Sequence, residues 1–597
     1  MKYIVPASLG PVGLEASESF DCADAFGYGN FQRGVLFFAV LSMWVLHCHT
    51  LIFPLISADV DHWCRPPAGL NISTDEWKLW AVPLDDLGQH SRCTLFANPS
   101  DPNDTGLVRC QAWDYDPEFA PTSIVSSWDL VCARAWLIPL ANALSMAGAL
   151  VALTVCGIVA DRIGRKLVAL GAASTLLIAT FGSSFATSYL VYVSTKFVIS
   201  GSCTTLFIAS AVLLVEVSTH RHRGIHVAFS IAAGLTLSDA MFAVASELHH
   251  AGWMTRQLLL VSPTALIPLG FLLITESPRW LIARRKFAMA GAIMQAAARA
   301  NGFRSDGSAK LVARLEGRLG SAPTPSFLQV RDVDSVDVVR RRALTSFCAM
   351  FSALFTHYVI LLAWAARKTA LMKGVTLAAN AIACAALLPA FNTWNGKKML
   401  TVTFLLMGTS CIFLSVATGS LELSTGVHSI ALAVAEAACF VNLDANFTFL
   451  FLTHPAPVRA TISGLAFALG RCGGVIAAPL SLLRTVGRED LLFALLAAAT
   501  FGAAWRVSHI PDISNPDVTL PPSAGSVTPS GHGSVAATST DSRRELLEGM
   551  VKTLDRREPS APKIKRKRAS RKSPGTTRSD SMGPFRKYAL DAGKQIG

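Results

Sequence analysis

The residues best able to do chemistry are charges set inside apolar stretches. Arg471 stands in Gly470-Arg-Cys-Gly-Gly474, within an apolar run over about 460–484. A guanidinium stays charged at physiological pH and forks naturally onto a carboxylate. Burying it in a low-dielectric bundle costs at least ~2.5 kcal/mol, so it needs a partner. That partner is either an anionic ligand or a fixed acid such as Asp444 or Glu436 on the preceding apolar run. Asp444 is itself an acid in an apolar run and suits a cationic group. His357 offers an imidazole, and Tyr358 beside it carries a phenol. Arg471, Asp444, Tyr358 and His357 are therefore the expected ligand-binding residues.

A second constellation falls in short turns between apolar runs. Gly157-Ile-Val-Ala-Asp161-Arg162-Ile-Gly164-Arg165-Lys166 combines glycines with one acid and three cations. Gly157 permits close helix approach, and Gly164 lets the chain turn sharply. Asp161 is placed to accept hydrogen bonds from a neighbouring helix N-terminus, and the cations to pair with carboxylates. Glu216 and Arg223 flank the next such turn, and Glu276 and Arg279 follow the sixth run. Together with Arg459 these residues would form a gate that locks one mouth of a helix bundle. The second half of the chain repeats the pattern in worn form. Thr393-Trp-Asn-Gly-Lys-Lys398 echoes Asp161–Lys166, while Leu452 replaces the acid expected seven residues before Arg459.

Catalytic signatures are missing. The chain has no phosphate-cradling Gly-x-x-x-x-Gly-Lys loop, no nucleophile elbow and no zinc-ligand spacing. His47-Cys48-His49 suggests a metal at first sight, yet adjacent helical residues point to different faces. The expectation is a chain that is not an enzyme, with no cofactor and no metal.

The elements that position these residues follow from composition. The 597 residues are 51% hydrophobic and only 16% charged, with a mean hydropathy of +0.43. So little charge cannot cover several soluble domains. A membrane-spanning helix needs ~20 apolar residues, and about twelve such runs are present. They cover 34–57, 135–160, 167–188, 190–216, 225–249, 257–275, 343–366, 371–391, 399–419, 426–451, 460–484 and 488–508. The spacing predicts a cytosolic segment 1–33 and a six-helix half 34–275 with an external loop 58–134. A cytosolic connection 276–342, a second half 343–508 and a basic tail 509–597 complete the chain.

Orientation follows from the basic turns, which succeed even-numbered runs and so belong in the cytosol with both termini. The loop 58–134 is then outside, in an oxidising compartment. There Cys64, Cys93, Cys110 and Cys132 form two disulfides whose pairing the sequence leaves open. Asn71 and Asn103 head glycosylation sequons, whereas Asn446 lies inside a predicted helix and is discounted. The net charge of +13 is concentrated in the tail, notably Lys563–Arg568. Beside membrane helices such a tail faces an anionic inner leaflet rather than nucleic acid. The repeat of two six-helix halves favours a carrier in which the halves rock about a central site.

The segment Gly157–Lys166 resembles the loop signature of the major facilitator superfamily. Ser123-Ile-Val-Ser-Ser-Trp128-Asp129-Leu-Val-Cys132 and the leader Phe26–Arg33 resemble solute carrier family 22, the organic cation, anion and carnitine transporters. Glu276-Ser-Pro-Arg-Trp-Leu281 fits as well. The resemblance spans about 20–520. It implies an all-α membrane fold of twelve helices in two pseudo-symmetric halves, a plasma-membrane location and passage of small organic ions by alternating access. Arg471 matches the position at which anion and carnitine members carry arginine, so organic anions or carnitine-like zwitterions are the expected cargo. An organic cation carrier, with Asp444 or Asp239 as counter-ion, is the alternative. A transport-inactive scaffold or sensor is the second, suggested by the worn second-half motif.

Overall fold

The computed structural model describes residues 22–510 except 68–69, 71, 85–87, 99–105, 220–221, 249, 304–309, 314–315, 318–334, 365–369, 394, 420–424, 455–457, 481–482 and 484–487. The sequons at Asn71 and Asn103 and the basic tail lie outside the described residues. Five long helices open the chain: α1 (Asn30–Ile56), α2 (Leu137–Ile163), α3 (Arg165–Ser184), α4 (Tyr189–Val217) and α5 (Arg223–Glu247). The sixth, α6 (Trp253–Val261), continues through a 3-10 turn, Ser262–Leu266, into Ile267–Gly270. The second half comprises α7 (Ser335–Trp364), α8 (Ala370–Leu387), α9 (Gly396–Gly419), α10 (Thr425–Thr453), α11 (Arg459–Leu480) and α12 (Glu489–Ser508).

Among the described residues, ten helices are long and apolar enough to cross a membrane. The sixth expected span, 257–275, is broken. Pro263 and Pro268 each lack a backbone N–H and crowd the preceding turn, which interrupts the helix there.

Packing within the halves repeats. In the first half α1 packs on α4, α5 and α6, α2 on α4, and α3 on α4 and α6. In the second, α7 packs on α10, α11 and α12, α8 on α10, and α9 on α10 and α12. Adding six to each helix number converts one set into the other. The contacts between halves obey the same rule: α2 on α11 matches α8 on α5, and α4 on α11 matches α10 on α5. This is a two-fold pseudo-symmetric bundle.

Glycines set the closest approaches. A Cβ at Gly157 would collide with the backbone of Ala460 and Thr461, and one at Gly464 with the Leu153 carbonyl, so α2 and α11 touch backbone to backbone. Gly470, Gly473 and Gly474 let α11 close onto the side chains of Leu354, Phe355 and Tyr358 of α7. Small residues permit such approach where lipid gives no hydrophobic drive between helices.

The loop after α1 folds into two two-stranded antiparallel sheets, β1 (His62–Cys64) with β4 (Trp113–Tyr115) and β2 (Thr94–Phe96) with β3 (Leu107–Arg109). Cys64 pairs with Cys110 and Cys93 with Cys132, which selects one of the open connectivities. The segment before α2 anchors this loop. Ser123 donates to the Ile56 and Ala58 carbonyls, at 3.1 and 2.7 Å. Trp128 packs among Tyr192 and Trp253, and Trp253 donates to Ser127 at 3.0 Å. At the other end, Asn301 joins the leader by donating to the Phe26 carbonyl at 2.9 Å and accepting from the Phe31 amide at 3.0 Å.

Candidate binding cavities and gate

Two cavities open on different faces of α1. The first encloses ≈ 520 Å³ and takes residues from α1, α2, α4 and α11. Arg471 and Lys196 both line it, with His49, Thr50, Asn142 and Ser145. Arg471 is buried and bonds the Tyr358 hydroxyl and, at 3.5 Å, the Met146 sulfur. Its guanidinium lies over the Phe467 ring at 4.7 Å. Cation–π contact and one phenol offset only part of the desolvation cost of a buried charge. The expected fixed partners do not supply the rest, because no described carboxylate pairs with Arg471. Lys196, also buried, lies 5.4 Å from the Tyr192 ring, again with no described acid against it. Among the described residues the wall contains no Asp or Glu.

Lys196 escaped the sequence reading, although an ionisable residue inside an apolar run is a functional candidate by default. The run 190–216 was recognised by its length and mean character, and its single lysine passed unweighed.

The second cavity encloses ≈ 560 Å³ and is lined by residues of α1, α5, α7, α8 and α10. His47, Asp239, His357 and Glu436 give it the opposite character, and Phe242 and Phe440 close it. His357 thus belongs to a different cavity from Arg471, while Tyr358, next along α7, reaches Arg471. Asp444 lines neither cavity. It is buried in α10 with Thr448, one turn along the same helix, against its carboxyl, and it does not meet Arg471. Phe447 and Phe451 pack into the core against Phe207. Asn446 is buried too, bonding Asn442 at 3.2 Å.

The residues expected to form a gate gather at the end of the bundle that carries the basic turns. Asp161 Oδ2 accepts from the Thr461 amide at 3.0 Å and its hydroxyl at 2.8 Å, at the N-terminus of α11. Its other oxygen accepts from Arg165 at 2.9 Å, and Arg165 also donates to Glu216 at 3.0 Å. Arg459 lies 3.8 Å from Glu216, so ionic and hydrogen-bonded contacts both cross between halves. Glu276 accepts the amides of Arg165, Lys166 and Ser277, at 3.0, 3.1 and 3.0 Å. It thereby satisfies orphan donors at the start of α3. Burial pushes its carboxyl up from the ordinary range while those amides pull it down. Gly164, at φ +117°, leaves the room in which that carboxylate sits. Arg223 and Arg279 both reach the Ser218 carbonyl, at 3.4 and 3.5 Å.

Arg162 is a correction. It is exposed and joins none of these contacts, because one residue along α2 from Asp161 turns a side chain by about 100°.

The worn half keeps part of the scheme. Lys166 donates to the Ile274 carbonyl at 3.0 Å, and Lys397 donates to the Ile510 carbonyl at 2.6 Å. Arg459 donates to the His454 carbonyl at 3.1 Å, five residues back, as Arg223 does to Ser218. Burial, with Arg459 and Arg342 nearby, pushes His454 down to about 3, so it stays neutral.

Residues 131–478 match the profile of the sugar (and other) transporter family, more than half of the chain. The chain belongs to that family. Solute carrier family 22 member 6 of Bos taurus is 25% identical over 509 residues, covering 81% of this chain and 90% of the relative. Organic anion transporter 3 of Rattus norvegicus is 28% identical over 453 residues, covering 72% and 80%. These relatives agree with the solute carrier family 22 resemblance read from the loop and leader. The fold is shared with the major facilitator proton:xylose symporter XylE bound to 6-bromo-6-deoxy-D-glucose, at a TM-score of 0.55 and 15% identity over 81% of this chain and 96% of that one. A partially occluded inward open XylE from E. coli gives 0.53 and 14% over 82% and 99%. This sugar (and other) transporter family member is a multi-pass membrane transport protein of the major facilitator fold.

Proposed function

We propose that this chain carries small organic anions across the membrane by alternating access, with Arg471 and Lys196 holding the anionic group. The carrying observation is a buried arginine and a buried lysine in one cavity with no acid among the described residues of its wall. An anion that enters supplies the missing countercharge, and its apolar body meets Phe53, Met146 and Tyr192. Two relatives named as organic anion transporters support the sign of the charge. Tyr358 orients Arg471. Asp161, Gly164, Arg165, Lys166, Glu216, Arg223, Glu276, Arg279 and Arg459 hold one mouth shut while the other is open, and they release together when the halves rock.

The organisation in this reading is a cytosolic leader 1–33, halves 34–275 and 343–508 joined by a cytosolic connection 276–342, and a basic cytosolic tail 509–597 beside an anionic inner leaflet. The loop 58–134 faces outside, glycosylated at Asn71 and Asn103, at the plasma membrane. The chain is a carrier without a catalytic site, cofactor or nucleic-acid partner. A zwitterionic cargo is the second reading, favoured by the acids Asp239 and Glu436 in the neighbouring cavity.

Purified protein in liposomes tests this by uptake of labelled naphthalenesulfonate, carnitine and a naphthyltrimethylammonium. The sulfonate should accumulate, and Arg471→Ala should abolish that uptake while the protein remains reconstituted. Undiminished sulfonate uptake in Arg471→Ala contradicts the assignment. Flux of none of the three probes points to a scaffold or sensor.

A further inference from the structure

The two halves furnish their basic turns differently. In the first, Glu216 is buried two residues before Ser218, whose carbonyl accepts from Arg223. In the second, Leu452, His454 and Arg459 stand at the same spacing, so the turn between α10 and α11 has no acid at that place. Arg342 of α7 lies within electrostatic reach of His454, as Arg459 does. Ser346, one turn on from Arg342 along the same face of α7, bonds His454 Nε2 at 3.2 Å. Arg342 is only 7% exposed, yet its Nε has no hydrogen-bond partner, and among the described residues no carboxylate pairs with it. His454 Nδ1 is likewise buried without a partner. Arg459 donates to the His454 carbonyl at 3.1 Å, with its guanidinium 3.8 Å from Glu216.

We infer that one oxyanion of the phosphate class binds between Arg342, Arg459 and His454, in place of the carboxylate that Leu452 does not supply. A buried guanidinium without a countercharge is costly. Its planar fork matches two oxygens of a tetrahedral anion. With Ser346 donating to Nε2, the neutral imidazole carries its hydrogen on Nδ1 and offers a further donor. Chloride is the poorer occupant, because a single acceptor centre cannot meet two parallel N–H groups. Free phosphate and the phosphate of a lipid at that mouth share this chemistry. Bound there, the anion ties α7 to the start of α11, next to the Thr461–Asp161 bonds that join the halves. It thereby keeps that mouth shut for longer. The site stands on this geometry, and its effect on the gate rests on the alternating-access reading above.

Purified full-length protein in maltoside micelles, which hold no phosphate of their own, is titrated with radiolabelled inorganic phosphate. Saturable binding of one phosphate per chain is expected in the wild type, and equally when Arg471 and Lys196 are both replaced by alanine. Arg342→Gln should raise Kd about tenfold or more, the loss of one charge-assisted contact, with Arg342→Lys in between. Ser346→Asp, which supplies a carboxylate beside His454, should abolish phosphate binding and melt no lower than the wild type in phosphate-free buffer. Equal affinity in wild type, Arg342→Gln and Ser346→Asp overturns the site, as does loss of binding only in the Arg471 and Lys196 double variant. Stabilisation of the wild type but not of Arg342→Gln by phosphatidic acid, without binding of free phosphate, makes a lipid the source of the anion. A response to neither probe overturns the proposal. Phosphate should also slow labelling of a cysteine reporter at this mouth about two- to fivefold in the wild type and not in Arg342→Gln. Equal rates with and without phosphate overturn the link to the gate. Phosphate binding as expected without naphthalenesulfonate uptake counts against the anion-carrier reading alone.

Discussion

The two cavities share α1 and nearly the same volume, yet their walls carry opposite kinds of ionisable side chain. One gathers Arg471 and Lys196 with no acid among the described residues of its wall. The other gathers Asp239 and Glu436 with two histidines. Their seams differ as well. The cationic cavity draws three helices from the first half and only α11 from the second, whereas the acidic cavity is shared between α1 and α5 on one side and α7, α8 and α10 on the other. A ligand-holding site can sit mainly on one half, because the substrate itself completes it. A site that reports closure must straddle both. The difference teaches that charge and position across the seam are separate instructions, and only the first is written in residue type.

Reversing the sign in the cationic cavity should have the largest effect. Arg471→Glu would pair with Lys196, leaving no net cation, and naphthalenesulfonate uptake should fall by about a thousandfold, since like charges in a buried site cost several kcal/mol. Uptake that survives would merge the two cavities into one indifferent site. Lys196→Ala comes next. Loss of one charge-assisted contact, about 1.5–3 kcal/mol, should raise KM for the sulfonate about tenfold or more, with Lys196→Arg recovering part of it. An unchanged KM would leave Lys196 a structural cation. Tyr358→Phe removes only the phenol that orients Arg471, about 1 kcal/mol, so a roughly fivefold rise in KM is expected from the same kinetics. The smallest effect belongs outside both cavities. Leu452→Glu puts an acid seven residues before Arg459, as Glu216 stands before Arg223, and should slow opening of the gated mouth about two- to fivefold. The rate at which a cysteine reporter at that mouth is labelled would show it. Equal slowing of labelling at the opposite mouth would deny the gate its polarity.

Much of this was legible in residue order. Twelve apolar runs, the Asp161–Lys166 turn and the glycines beside Arg471 are local patterns, and local patterns determine helices and turns. Arg471 was legible because an arginine amid glycines contradicts its apolar surroundings. Lys196 carried the same contradiction but sat in a run read for length. Asp239 could be listed as polar, but not paired. Its contact with His47 and the bond it accepts from Asn380 join α5 to α1 and to α8, and such partners are set by packing across hundreds of residues. Disulfide pairing was open for the same reason. Arg162 failed because a motif names residues without their rotation about the helix, and the break in α6 was visible only as two prolines whose combined effect needed the neighbouring turns.

Ligand-induced stabilisation of the purified protein tests the central claim most directly, because it reads binding without requiring transport. A ligand at a hundredfold its Kd adds about 2.7 kcal/mol to stability. The account predicts that naphthalenesulfonate raises the melting temperature of the wild type, that naphthyltrimethylammonium does not, and that the sulfonate shift disappears when Arg471 and Lys196 are both replaced by alanine. A sulfonate shift that persists in the double variant, or stabilisation by the ammonium alone, would contradict it.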